Sequence, residues 1–154
     1  MSLATDFDFF HGAWSVQHRR LARRLAGCDD WQHFGGHCTV VPLLGGQGNV
    51  DDNLLDLPGG AYRAATLRAF DPATRLWSIW WLDGRAPAQL GVPMVGSFDG
   101  GRGVFHADET FEGRPIRVRF HWTAGTTPRW EQAFSQDGGA SWETNWTMDF
   151  SRLP

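Results

Sequence analysis

Histidine, cysteine, serine and aspartate are the residue types through which this chain could do chemistry, and their spacing decides how much. Six histidines are present. His33 and His37 share one face of an alternating run from Trp31 to Val41, and lie roughly 13 Å apart on an extended strand. One ion could take both only if the Gly35-Gly36 pair bent the strand, and glycines in mid-strand do suggest a bulge or a sharp bend. No His-x-His pair occurs, so the histidines read as polar lining or exposed rim, and neither a metal nor another cofactor is expected. Ser97 sits in Gly96-Ser97-Phe98, which lacks the Gly-x-Ser-x-Gly turn of a nucleophile elbow. Cys38 adjoins His37, but neighbours on a strand point to opposite faces. Cys28 and Cys38 have neither ligand nor disulfide spacing and read as free thiols. No glycine pattern for phosphate or dinucleotide is present. Asp51, Asp52 and Asp56 could act as acid or base if buried; left exposed, they are the polar edge of a short strand.

A binding cavity is the remaining chemistry. If the apolar face of each alternating run points inward, it carries His18, Arg20, Asp52, Thr66, Arg68, Gln132 and Thr144 with it. Trp14, Trp80, Trp122, Trp130 and Trp146 accompany them. Pockets are mostly apolar with a few placed polar groups, and an inward arginine beside aromatic rings suits an anionic group. The expected ligand-binding residues are therefore Trp14, His18, Asp52, Arg68, Trp80, Trp122, Gln132 and Trp146. Arg68 is the pivot. On the run Tyr62–Phe70 it shares a face with Tyr62, Ala64, Thr66 and Phe70, the more aromatic of the two. A buried guanidinium needs a partner, either Asp52 on the preceding strand or an anionic ligand.

These side chains need elements to hold them. Residues 135–142, Ser-Gln-Asp-Gly-Gly-Ala-Ser-Trp, separate the strand-like runs 130–134 and 143–150. Ser and Asp side chains bond a turn's own backbone, and glycine supplies positive φ. The stretch resembles an Asp-box, the Ser-x-Asp-x-Gly-x-x-Trp hairpin, which is a folding device on many β architectures. Further strand-like runs are Trp14–Arg20, Trp31–Val41, Asn49–Leu57, Tyr62–Phe70, Leu76–Asp83, Val92–Phe98, Val104–Phe111 and Ile116–Trp122. Residues 15–25 also carry helix-favouring Ala, Leu and Arg, but the strand reading is preferred because Gly12-Ala13-Trp14 anchors its start. That triplet, after the aromatic lead-in Phe7, Phe9 and Phe10, resembles the opening of lipocalin and calycin barrels, where the tryptophan closes the barrel floor. The fold expected is all-β: a single domain over 1–154, an antiparallel up-and-down barrel of about ten strands, lipocalin-like, with a short N-terminal cap. Closure removes the edges such apolar strands would expose. The resemblance implies a cavity and does not name its ligand.

Composition narrows the partners. The 154-residue chain has 9 Trp and 11 Phe and a formal charge of −3, which is too aromatic for a disordered segment and shows no whole-chain footprint for nucleic acid. Residues 1–12 carry acids where a signal peptide needs bases, and no apolar run reaches the roughly 20 residues of a membrane helix. A cytoplasmic protein with no nucleic-acid or membrane partner is expected. The run Trp77–Leu82 is apolar on both faces, so its outer side should be covered by Phe7–Phe10 or by a second copy in a homodimer. The function expected is small-molecule binding in a barrel cavity, the ligand hydrophobic with an anionic group. The alternatives are an isomerase or hydrolase using that cavity, and a haem-binding barrel with His18, His37 or His121 as axial ligand.

Overall fold

A computed structural model describes residues 2–154 of the protein. Ten strands follow one another: β1 (Gly12–Leu21), β2 (Trp31–Leu43), β3 (Gly48–Leu57), β4 (Gly60–Asp71), β5 (Leu76–Asp83), β6 (Met94–Asp99), β7 (Arg102–Phe111), β8 (Arg114–Thr123), β9 (Arg129–Ser135) and β10 (Glu143–Arg152). Each pairs antiparallel with its sequence neighbour, and β1 pairs with β10, closing the barrel. Strand accounts for 63% of residues and helix for 4%, so the helical reading of residues 15–25 gives way to β1. Alternation of apolar and polar residues explains the closure. One face of each strand fills the interior and the other meets water, and a closed sheet leaves no unpaired edge.

The N-terminal segment plugs one end of the barrel, here called the floor. A single 3-10 turn, Asp8–Phe10, drops Phe7 and Phe10 inside, each 1% exposed. The Phe7 ring meets Trp77, Phe98 and Trp122 at 4.9, 4.8 and 5.6 Å. Phe10 meets Trp122 at 4.9 Å and Phe150 at 4.8 Å. Trp14, fully buried, donates from Nε1 to the Phe10 carbonyl at 2.8 Å, and the Arg152 guanidinium lies over its ring at 4.1 Å. The aromatic lead-in therefore closes the barrel end and does not cover the outside of β5, one of the two positions expected for it.

Two local features differ from expectation. Gly35 and Gly36 form no bulge, because β1 and β3 stay in continuous register across them. Gly36 is needed for close approach: a Cβ there would sit 3.1 Å from His18 Nε2 and nearer still to the Leu54 carbonyl. The barrel's irregularity lies instead in β10, where pairing with β9 jumps from Thr144 to Trp146. The extra residue, Asn145, is fully buried and accepts from Gln132 Nε2 at 2.9 Å. Thr144 is consequently only half-buried, and the inward polar position expected for it goes to Asn145.

The wall is incomplete at the end opposite the floor. β6 is short and meets β5 only through Trp77, Ser78 and Ile79. Beyond that point residues 80–83 of β5 and 107–111 of β7 have no partner on β6, and residues 84–93 connect β5 to β6.

Candidate functional site

Inside the barrel is a cavity of about 500 Å³, running from the Phe10, Trp122 and Phe150 rings at the floor to a mouth at the other end. Trp81, Phe120, Trp130 and Trp146 form its aromatic walls. The Trp146 ring stands edge-on to both Trp81 and Trp130, at 5.8 and 5.2 Å, a geometry aromatic quadrupoles favour.

Near the floor lies a buried polar cluster built by β3 and β4. The pairing places Asn49 opposite Arg68 and Asp51 opposite Thr66. Arg68, 4% exposed, donates Nη2 to Asp51 Oδ2 and Nη1 to Asn49 Oδ1, both at 2.8 Å. Asp51 also accepts from the Thr66 amide at 3.1 Å and from Asn53 Nδ2. The carboxylate is thus held by a guanidinium, a backbone amide and a side-chain amide, the full pairing a buried charge requires. The Phe7, Phe10 and Trp122 rings enclose the guanidinium at 5.3, 5.1 and 5.5 Å. Arg68 Nε and Trp122 Nε1 are buried and find no acceptor among the described residues.

This corrects the expected partner. Asp52 points outward, its side chain 68% exposed, and pairs with Arg63 at 3.2 Å on the outer surface. Asp51, one residue earlier, faces in. The reason is register: the residue opposite Arg68 on β3 is Asn49, and the inward face is then Asn49, Asp51, Asn53 and Leu55.

Trp80 is corrected in the same way. Opposite Leu67, it lies on the outer face with it, while Trp81, opposite Thr66, faces the cavity. Of the other expected residues, Arg68, Trp122, Gln132 and Trp146 line the cavity. Trp14 belongs to the floor plug. His18 is buried in the wall, its ring stacked on Phe34 at 4.6 Å, and Nδ1 accepts from Trp146 Nε1 at 3.1 Å. Burial, with Arg20 adding a smaller effect, lowers the His18 pKa to about 3, so its imidazole is neutral and its Nδ1 lone pair already used. His37 is exposed and His121 sits on the outer face beside Glu131 and Arg119. No histidine lines the cavity, so none of the three residues named for haem presents a ring nitrogen to it. Among the described residues no group of three or more His, Cys, Asp or Glu is placed to hold a metal ion. Cys38 is buried, and desolvation first and Asp51 second push its thiol pKa up, which disfavours the thiolate.

The mouth carries charges that periodicity did not assemble. Arg20, at the end of β1, donates Nη1 to the Tyr62 hydroxyl at 3.2 Å and lies between the Phe34 and Trp146 rings at 5.2 and 5.1 Å. Arg24, in the turn after β1, lies over Phe134 at 5.6 Å. Burial first and Arg20 second lower its pKa. No carboxylate is within salt-bridge distance of Arg20 or Arg24 among the described residues. Arg85 is different: it pairs with Asp83 at 2.7 Å and stacks on Tyr62 at 3.6 Å. Tyr62 and Arg20 were legible as members of inward faces. Arg24 was not, because a turn has no alternation to read.

No protein-family model matches the chain, and no curated protein is significantly similar to it.

Proposed function

We propose that this protein binds a small molecule with an apolar body and an anionic group inside the barrel, in the manner of the lipocalin-like barrels. The observation that carries this reading is the roughly 500 Å³ cavity, walled by aromatic side chains and open at one end, which falls within the range of small-ligand sites. The Trp14 floor closure supports the lipocalin-like assignment. Binding is preferred to turnover because Asp51 has its oxygens committed to Arg68, Thr66 and Asn53 and Asp83 is paired with Arg85, while the third lining acid, Glu109, is exposed and has no ion-pair partner among the described residues to orient it. A general base needs a free lone pair within reach of the proton it takes.

The test is a titration with N-phenyl-1-naphthylamine, a neutral aromatic fluorophore that brightens in apolar surroundings. Saturable binding of one molecule per folded chain is expected, with energy transfer from the wall tryptophans. A protein whose near-ultraviolet circular dichroism is native but which shows no saturable binding of that probe, and none of its anionic relative described below, would overturn the reading.

A further inference from the structure

The cavity's charge is distributed unequally between its two ends. Four arginines line it, Arg20, Arg24, Arg68 and Arg85, against three acids, Asp51, Asp83 and Glu109. That leaves one positive charge in the cavity of a chain whose formal charge is −3. The excess does not sit at the floor. There Arg68 and Asp51 neutralise each other at 2.8 Å, Asn49 takes a second guanidinium nitrogen, and Nε is buried beside the Phe7 and Phe10 rings. At the mouth Arg85 is spent on Asp83. Arg20 and Arg24 are left against one remaining acid, Glu109, with which neither forms a salt bridge; both are half-buried and close enough for mutual repulsion. Arg20 is held in place by the Tyr62 hydroxyl and two aromatic rings, and Arg24 by Phe134. Guanidiniums packed on rings lose little conformational entropy on binding and present planar donor edges suited to an oxyanion.

From this placement we infer that Arg20 and Arg24 form an anion clamp at the mouth, selecting ligands that carry one monoanionic oxyanion and holding them with the apolar body directed toward the Trp81, Trp130 and Trp146 walls. The inference rests on the binding reading above and adds its polarity: the charged group stays at the mouth, while the floor receives the uncharged end. A single negative charge cancels the cavity's excess. A carboxylate or a sulfonate meets that condition. A phosphate monoester, about −1.5 to −2 near neutral pH, overcharges it.

The experiment compares two probes that share one aromatic body. 8-Anilinonaphthalene-1-sulfonate carries a monoanionic sulfonate, and N-phenyl-1-naphthylamine lacks it. In low salt the sulfonate should bind at least about tenfold more tightly, as charge-assisted hydrogen bonds imply, and the advantage should shrink with added salt. Arg24→Met and Arg20→Met should each remove most of that advantage, lowering the sulfonate's affinity several-fold more than the neutral probe's. Arg63→Met, which removes a guanidinium from the outer surface, should leave both affinities unchanged. Displacement of the bound sulfonate should follow 1-naphthoate over 1-naphthyl phosphate, and both over 1-naphthamide. Equal affinity for the two probes would overturn the clamp and leave the binding reading standing. An advantage that survives in both arginine variants would overturn it as well, and so would preference for the phosphate. The neutral-probe affinity also reports whether each variant kept its cavity, so a misfolded variant is recognised by losing both probes.

Discussion

Arg68 and Asp51 show what one residue's position does to the chemistry open to it. The same arginine facing a single partner could anchor a ligand anion; held by Asp51 and Asn49, it is a structural ion pair. Removing one member of a buried pair costs more than the pair contributes, because the survivor stays charged and unpaired. Arg68→Met is therefore expected to destabilise the protein by about 3–5 kcal/mol, measured by urea unfolding without ligand. The double variant Arg68→Met with Asp51→Leu should recover most of that loss. A near-neutral single variant would show that water reaches Asp51 and that the cluster is not sealed. His18 follows the same logic in a neutral group: stacked on Phe34 and accepting from Trp146, it packs the wall and does not serve the site.

At the scale of elements, the turn between β9 and β10 is held by side chains. Ser135 Oγ accepts from the Gly139 amide at 2.8 Å and donates to Asp137 at 2.7 Å. Asp137 accepts from the Ser141 amide at 2.9 Å and from the Ser141 hydroxyl. Gly138 and Gly139 take φ of 71° and 96°, where a side chain would strain the backbone. The Trp142 ring lies against Gly139, with room for a Cβ only at 3.4 Å. These bonds, the Ser141 hydroxyl's first, lower the Asp137 pKa to about 2. A carboxyl whose folded pKa lies below its unfolded value stabilises the fold fully above the unfolded pKa, near 3.9. That contribution is lost as pH falls through the folded value. Asp137→Asn is thus expected to lower the melting temperature at pH 6 and to lose its difference from wild type between about pH 4 and pH 2. A difference that persists at pH 2 would count against the carboxylate's role. Ligand binding should survive, since the turn contributes no cavity-lining residue from 135 to 142.

At the scale of the molecule, the barrel's outer surface carries a row the interior does not explain. Val41, Val50, Leu67 and Trp80 are successive cross-strand partners on β2 to β5, all pointing out, with Val41 45% and Leu67 40% exposed. The N-terminal segment is committed to the floor and leaves this row uncovered among the described residues. Contiguous apolar surface of this kind commonly marks an interface, and two-fold dimers are the commonest oligomers. A dimer through β2–β5 is accordingly expected by light scattering at micromolar concentration, with Leu67→Glu shifting it to monomer. A wild-type monomer at every concentration would exclude it.

A large share of this architecture was legible in the order of residues. Alternation and turn residues implied about ten antiparallel strands in a closed sheet, and Gly12-Ala13-Trp14 marked the first of them. The Ser135–Trp142 stretch marked the last hairpin, and Phe7–Phe10 its plug. Those signals are local, and each repeats its own evidence along the chain. Phase was not legible there and came from strand pairing. Alternation says that neighbours differ in side, not which one faces in. Where two neighbours are alike, as in Asp51 and Asp52 or Trp80 and Trp81, cross-strand pairing breaks the tie. The bulge at Asn145 turns Thr144 away for the same reason, and the turn after β1 brings Arg24 to Arg20 with no periodic signal at all. The residues that set the cavity's charge are placed by pairing between strands, which alternation along any one strand does not contain.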